Sequence, residues 1–432
     1  MESKKQCKDR AFLKISCMNP VFFLYLPKIS ASIMLQYDTK SINVMYVLGS
    51  VSKIGGVERV ITDKMNYLAN IGCKVTLVTY EQGTHPIIYP LHPRVRHIDV
   101  GVRFFQLYKY SYPKRFFENI KWRRTYYQRL QKIVDEVRPS VISTVTYELE
   151  YCDILPKLKT SAKFIIESHC AKSYTKDFTD GRTGLKSFFS KVRMYMQFRK
   201  IANYDILVAL TQGDADDWRR IATRVEVIPN PVTLYPDTVK EYHHSRRIIA
   251  VGRLHRQKGF DMLIDAFSLV QKKCPQWSVS IFGGGEEEKV LKQRILDAKM
   301  QDCIFINSPT QDIYSEYQNS DFLVLSSRYE GFGLVLIEAM SCGIPCVAFD
   351  CPYGPKDVIE DGYNGLLVDN ENVESLAEKI LWMCNNPEKC EAMGVAARKS
   401  ASLYKIEQIM PRWLELYSEK LESLLFSSRY EN

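Results

Sequence analysis

The sequence predicts an α/β chain made of two doubly wound, parallel-sheet units. Three observations lead there. Short apolar runs alternate with amphipathic stretches from residue 43 onward. The alternation halts at Pro229-Asn230-Pro231, and after a polar stretch it restarts at residue 248. The runs are apolar on both faces, as strands are when helices cover a parallel sheet on two sides. Two such units joined by one linker leave a crevice at the carboxyl ends of their strands, where this architecture holds its ligands.

In the first unit, residues 44–48 form the opening strand. Gly55 and Gly56 follow, then a helix with Val57, Val60, Ile61, Met65 and Leu68 at helical spacing, stopped by Gly72. Residues 75–78, 141–145, 164–166, 206–210 and 225–228 continue the series of strands. The second unit starts at 248–251, with a helix around Leu263, Ile264, Phe267 and Val270 and further strands at 279–282, 304–306, 322–325 and 346–349. A final amphipathic helix runs from Ile409 through Trp413 and Leu416 to Leu424. The expected division is an extension over 1–41, a first domain over 42–228, a linker over 229–245, a second domain over 246–405, and a crossover helix and tail over 406–432. The extension reads as disordered or artefactual, with Met34 as an alternative start. Its apolar patch at 21–26 is short, ends at Pro27, and precedes no small-residue cleavage site.

At 432 residues each unit can bury its own core without metal or disulfide staples. The twelve cysteines sit in or beside apolar runs without repeated pair spacing, and Cys342 and Cys346 lack the second pair a zinc site needs. They read as small hydrophobes in a reducing cytosol. No apolar run approaches the ~20 residues that span a bilayer. The net charge of +9 is uneven. Residues 103–132 and 186–200 mix Lys and Arg with Phe, Tyr and Trp, which suits an anionic membrane surface. A buried aromatic stripe beneath a solvated basic face explains the same pattern. No recognition motif accompanies the charge, so nucleic acid is not expected.

The most informative segment spans residues 328–345. A strand runs into a loop with Gly331 and Gly333, then a helix that Gly343 ends and Pro345 keeps from resuming. Amides at Gly333, Leu334 and Val335, at the start of that helix, make a ready site for a diphosphate. Glu330 precedes them and Glu338 follows, each suited to accept hydroxyls of a ribose or hexose. Singly, Glu330 is equally a helix N-terminal charge and Glu338 a satisfied buried acid. With the glycines between them they mark a site. Arg253 and Lys258, on the loop after Gly252, place two cations where a leaving diphosphate gathers charge. Taken alone that loop is simply solvated, and His255 and Arg256 read as exposed filler. Glu58 and Arg59 beside the glycine loop read as a surface pair, while their loop position keeps a substrate role open.

Glu330 and Glu338, with seven residues between them, resemble the paired-glutamate signature of retaining glycosyltransferases of family 4. The resemblance runs from Asn43 to about Leu424, is strongest in the second unit, and is of the bacterial polysaccharide- and lipopolysaccharide-building type. It implies the GT-B fold, two Rossmann-like domains facing a central cleft with a C-terminal helix returning toward the first. The first would be the acceptor domain and the second the nucleotide-sugar donor domain. Arg253 and Lys258 match the family's diphosphate-binding Arg and Lys, so no metal or other cofactor is implied. Gly55 and Gly56 match its glycine loop, and His169, at the end of a strand, matches a functional His near the transferred sugar. The expected catalytic residues are His169, Glu330, Arg253 and Lys258. Donor contacts are expected from Gly56, Gly252, Gly283, Gly331, Phe332, Gly333, Leu334, Val335 and Glu338. Gly284 and Gly285 read as turn formers, where the family has Gly-x-Gly-Pro. The loop over 350–357 reads as turn chemistry first and donor-sugar contact second.

The activity so implied is transfer of a hexose or N-acetylhexosamine from a nucleotide diphosphate sugar, UDP ahead of GDP, with retention. The acceptor is a glycan, lipid-linked or free, and the location the cytoplasm or the inner face of its membrane. An epimerase or hydrolase of the same shape, and a nucleotide-sugar-binding module without turnover, are the rival readings.

Overall fold

A computed structural model describes residues 37–149, 151–172, 185–239, 244–310 and 312–419. Most of the 1–41 extension, residues 240–243 of the linker, and Leu424 lie outside them.

Strand β1 (Asn43–Leu48) shows why the first lobe is doubly covered. Val44, Tyr46 and Leu48 enter one core, Met45 and Val47 the other. Helix α1 (Gly56–Asn70) lays Ile61, Met65 and Leu68 into the first of these cores. The chain then turns through Gly72, whose φ of 97° disfavours any side chain. The lobe continues with β2 (Lys74–Thr79), β3 (Val95–Asp99), α2 (Tyr112–Val137), β4 (Val141–Val145) and β5 (Lys163–Ser168). Helix α3 (Leu185–Arg199), β6 (Ile206–Ala209), α4 (Gln212–Trp218) and β7 (Val225–Val227) complete it. The seven strands pair in parallel in the order β3-β2-β1-β4-β5-β6-β7.

The second lobe repeats the plan. Its strands are β8 (Arg247–Val251), β9 (Ser278–Phe282), β10 (Ile304–Asn307), β11 (Phe322–Leu325), β12 (Cys346–Phe349) and β13 (Gly365–Val368). They pair in parallel in the order β10-β9-β8-β11-β12-β13. Around them pack α5 (Phe260–Gln271), α6 (Glu288–Asp297), α7 (Ile313–Gln318), α8 (Leu334–Ser341), α9 (Pro355–Val358), α10 (Val373–Asn385) and α11 (Pro387–Ala401). The sequence reading passes over β3 and β13. Both are edge strands, and β3 carries the polar residues Arg96, His97 and Asp99 that an edge tolerates.

Strand order reverses between β1 and β4 in the first sheet and between β8 and β11 in the second. At such a switch point the loops leaving adjacent strands diverge and open a crevice. The glycine loop after β1, the Arg253 loop after β8 and the Glu330 loop after β11 all leave those strands.

Residues 229–239 are not a loose tether. The Val232 amide donates to the Tyr404 carbonyl at 2.7 Å, and the Leu234 amide to the Tyr314 hydroxyl at 3.0 Å. The Arg398 guanidinium joins the carbonyls of Ser341 and Pro236. Helix α12 (Ile406–Ser418) then returns to the first lobe and buries Ile409, Met410, Trp413 and Leu414 in the core beside β1. The Tyr417 hydroxyl meets that of Tyr46 at 2.9 Å, and Lys163 Nζ donates to the Leu416 carbonyl at 2.5 Å. Ten cysteines are described, all unpaired, and all but Cys170 are buried.

Trp413 is 2% exposed, so its removal opens a large cavity between α12 and the first sheet. Trp413→Ala is expected to cost about 3–5 kcal/mol, read as a lowered urea midpoint with α12 losing its amide-exchange protection.

Candidate active site

The loops after the strands of one lobe meet those of the other. A Cβ on Gly331, after β11, would stand 2.5 Å from the His169 carbonyl oxygen, after β5. One on Gly56 would stand 2.9 Å from Leu334 Cδ1, at the start of α8. One on Gly213, in α4, would strike the ring of Tyr353, after β12, whose hydroxyl donates to Asp217 Oδ2 at 2.5 Å. Glycine at these positions lets the two lobes close, backbone to backbone at Gly331 and backbone to side chain at Gly56 and Gly213.

Lys258 donates to Glu330 Oε1 at 2.5 Å, and Ser327 Oγ donates to the same oxygen at 2.6 Å. Glu330 Oε2 takes no hydrogen bond from a described residue, so its capacity to accept one is unused. The Lys258 stem lies over Gly252, where a Cβ would stand 3.2 Å from its carbons. Gly259 lets the loop re-enter α5: its φ is 60°, and a Cβ there would lie 2.0 Å from the Ser326 carbonyl oxygen. Arg253 is exposed and pairs with no described residue.

Cys170 ties these groups to His169, its neighbour in sequence. Burial raises its thiol pKa, and Arg253 and Lys258 pull it down across the cleft while Glu330 pushes it up. All three charges of the second lobe therefore act on the segment that carries His169. Gly333, with φ 84°, caps α8 without a side chain, and the amides of Leu334 and Val335 lie in its first turn, where no intrahelical acceptor exists.

Other expected residues fall differently. The Phe332 ring is buried against Tyr404, 5.6 Å between centroids, which leaves only its backbone for a ligand. Gly283 packs on Gly252, a Cβ there falling 1.9 Å from the Gly252 carbonyl oxygen. Gly285, read as a turn former, is equally confined, 2.3 Å from the Leu254 carbonyl oxygen. His255, read as filler, caps the turn over Arg256–Lys258 by accepting the Gln257 amide at 3.2 Å.

Glu338 is buried, accepts the Tyr317 hydroxyl at 3.1 Å and faces Arg59 of the first lobe. Burial raises its pKa, and Arg59 and Tyr317 bring it part of the way back. Burial alone would weaken the charge on Arg59, but Glu338, helped by Tyr314, Asp63 and Tyr89, outweighs it and raises the guanidinium. The surface pair expected of Glu58 and Arg59 is thus corrected: Arg59 turns into the cleft because an acid waits there. Behind His169 stands a second unforeseen group. Lys64 donates to Glu167 Oε2 at 2.7 Å, and the same oxygen meets His169 Nε2 at 3.0 Å. A basic residue on the apolar stripe of α1 and an acid in an interior strand were the available signals.

Residues 54–234 match the family pattern of glycosyltransferase family 4, and residues 235–400 that of glycosyl transferases group 1. The chain is a family 4 glycosyltransferase. An uncharacterized glycosyltransferase of Haemophilus influenzae is 28% identical over 85% of this chain and 98% of its own length. The amylovoran biosynthesis glycosyltransferase AmsD of Erwinia amylovora is 25% identical over 86% of this chain and 99% of its own. The GtfA subunit of the UDP-N-acetylglucosamine–peptide N-acetylglucosaminyltransferase of Streptococcus pneumoniae is 31% identical over 40% of this chain and 36% of its own length. The crystal structure of TarM superposes with a TM-score of 0.71 over 88% of this chain and 100% of its own at 17% identity, which establishes the GT-B fold.

In this glycosyltransferase Gly331→Ala places a methyl group against the His169 backbone. The expected outcome is a loss of about tenfold or more in kcat/KM, as misplacement near the reacting groups produces. The melting temperature should move little, because each lobe keeps its own core. Steady-state kinetics beside a thermal melt checks both.

Proposed function

We propose that this glycosyltransferase transfers a hexose or N-acetylhexosamine, with retention, from a UDP-sugar to a glycan acceptor, lipid-linked, in cell-surface polysaccharide synthesis. The observation that carries the reading is the convergence of Arg253, Lys258, Glu330, His169 and the start of α8 on one cleft. The amylovoran relative supports a polysaccharide product and the GtfA relative a UDP-linked donor.

The diphosphate lies between Arg253, Lys258 and the Leu334 and Val335 amides. As the bond from the anomeric carbon to the phosphate oxygen breaks, its electron pair stays on the diphosphate, and these groups stabilise the charge. Glu330 Oε2 and His169 hold hydroxyls of the departing sugar, and Glu338 takes those of the ribose. The acceptor oxygen bonds to the anomeric carbon from the face the diphosphate leaves, and its proton passes to the leaving phosphate oxygen. The two cations and the helix amides supply the charge for this step without a metal or other cofactor.

Two exposed segments fit a membrane-borne acceptor. Helix α2 packs by Tyr126, Leu130 and Val134, but its first half exposes Tyr112 (81%), Phe116, Phe117 (70%) and Ile120. The buried stripe thus occupies the second half of the helix, and the exposed rings of the first half support the membrane reading. Helix α3 exposes Phe188, Val192, Tyr195 and Met196. Asp153 bonds Arg123 of α2 at 2.5 Å and Lys200, just after α3, at 3.1 Å, so the two segments share one side of the lobe. Rings at headgroup depth with Lys and Arg beside them suit an anionic lipid surface.

Alanine at Arg253, Lys258 or Glu330 is expected to lower UDP release from a UDP-sugar by about a hundredfold or more, the scale of losing one charge-stabilising group. EDTA should leave the wild-type rate unchanged. Product anomers read by NMR decide retention, and free sugar formed without acceptor would mark a hydrolase instead. Phe116→Ser/Phe117→Ser should release the protein from phosphatidylglycerol vesicles in a sedimentation assay while soluble-acceptor turnover persists. Equal sedimentation of both proteins would sink the membrane reading.

A further inference from the structure

The group behind His169 is a built device that the reaction as described does not use. Glu167 is 1% exposed and lies in β5, an interior strand of the first sheet. Its Oε1 accepts the Ser143 hydroxyl at 2.9 Å, and its Oε2 accepts Lys64 Nζ at 2.7 Å. Burial alone would push its pKa up, but the Lys64 ammonium and the His169 ring more than offset that and hold the carboxyl well below its ordinary range. Lys64 is fully buried too, and burial lowers its pKa to about 8, so the pair stays ionised at neutral pH. The Trp413 ring of α12 closes over Lys64, with Nζ 3.2 Å from the ring centroid. A buried ion pair is retained only where good geometry offsets its desolvation.

An ionised carboxylate only accepts, so the ring nitrogen 3.0 Å from Oε2 must carry a proton. That nitrogen is Nε2. The other, Nδ1, is buried and has no hydrogen-bond partner among the described residues. A buried unpartnered acceptor is rare in folded proteins, and the residue that carries it is the one whose backbone Gly331 crosses.

We propose that Glu167 is a positioning residue that fixes His169 in the tautomer protonated on Nε2, leaving Nδ1 to accept a hydroxyl of the bound sugar. Lys64 keeps Glu167 charged, and Trp413 keeps Lys64 in place, so the returning helix acts on the site through two side chains. The proposal rests on His169 touching the transferred sugar.

The test uses the full chain labelled with 15N-histidine, the His169 signal being the one lost in His169→Ala. Wild type should show the proton on Nε2, and a proton on Nδ1 would overturn the proposal. In Glu167→Gln the amide carbonyl can still accept from the ring while its NH2 faces Ser143, so the tautomer and most of the activity should survive. In Lys64→Met/Glu167→Leu the charges leave together, which keeps the core satisfied. This variant should melt near wild type, show mixed tautomers, and lose about ten- to a hundredfold in kcat, the scale of second-sphere losses, with donor KM little changed. A folded double variant with wild-type kcat would overturn the role of Glu167 if His169→Ala is impaired. If His169→Ala itself works at the wild-type rate, the reading of His169 fails, and the positioning role fails with it.

Discussion

The two lobes touch where Gly331 passes over the carbonyl of His169, with room for hydrogen and nothing larger. Everything else at the cleft is arranged around that approach. It brings the Glu330 loop of one sheet within reach of the β5 terminus of the other. Both loops leave strands that end at the same crevice, so the distance between the lobes is set by backbone rather than by adaptable side chains. Gly56 against the Leu334 side chain and Gly213 against the Tyr353 ring add two further close approaches of glycine backbone to the opposite lobe.

Charge is distributed with the same economy of space. Lys258 and Glu330 neutralise each other at 2.5 Å in a partly buried setting, while Arg253 is exposed and pairs with no side chain among the described residues. One cation is thus held in place and the other is unencumbered, a useful pairing for an anion that must arrive and depart. Deeper in, Lys64 and Glu167 are wholly sequestered, and their desolvation is offset by three hydrogen bonds and an aromatic face. Arg59 and Glu338 lie between these extremes, on opposite lobes.

The plan of two parallel sheets was legible because interior strands are apolar on both faces and glycines punctuate their ends. The edge strand β3 was not, since Arg96, His97 and Asp99 interrupt its run, and β13 is a run of only four residues that opens on a glycine. At the site, the glutamate spacing and the Arg253–Lys258 loop are local patterns, and the fold gathers them on one cleft with His169. Arg59 escaped because its partner Glu338 is far away in sequence, while Glu58 sits beside it. Lys64 escaped because a single basic residue on an apolar helical stripe normally snorkels to water. Here Trp413 blocks that path, and only the tertiary return of α12 puts it there. Phe332 lies inside the most recognisable motif, yet its ring serves packing against Tyr404.

That return of α12 has a consequence for biogenesis. Residues 43–227, once emerged from the ribosome, lack Ile409, Met410, Trp413 and Leu414 from the core beside β1, and Lys64 has no lid. The second lobe must be translated before those residues arrive. The first lobe therefore cannot finish folding as an independent vectorial unit, and the nascent chain holds an open apolar seam until α12 is made.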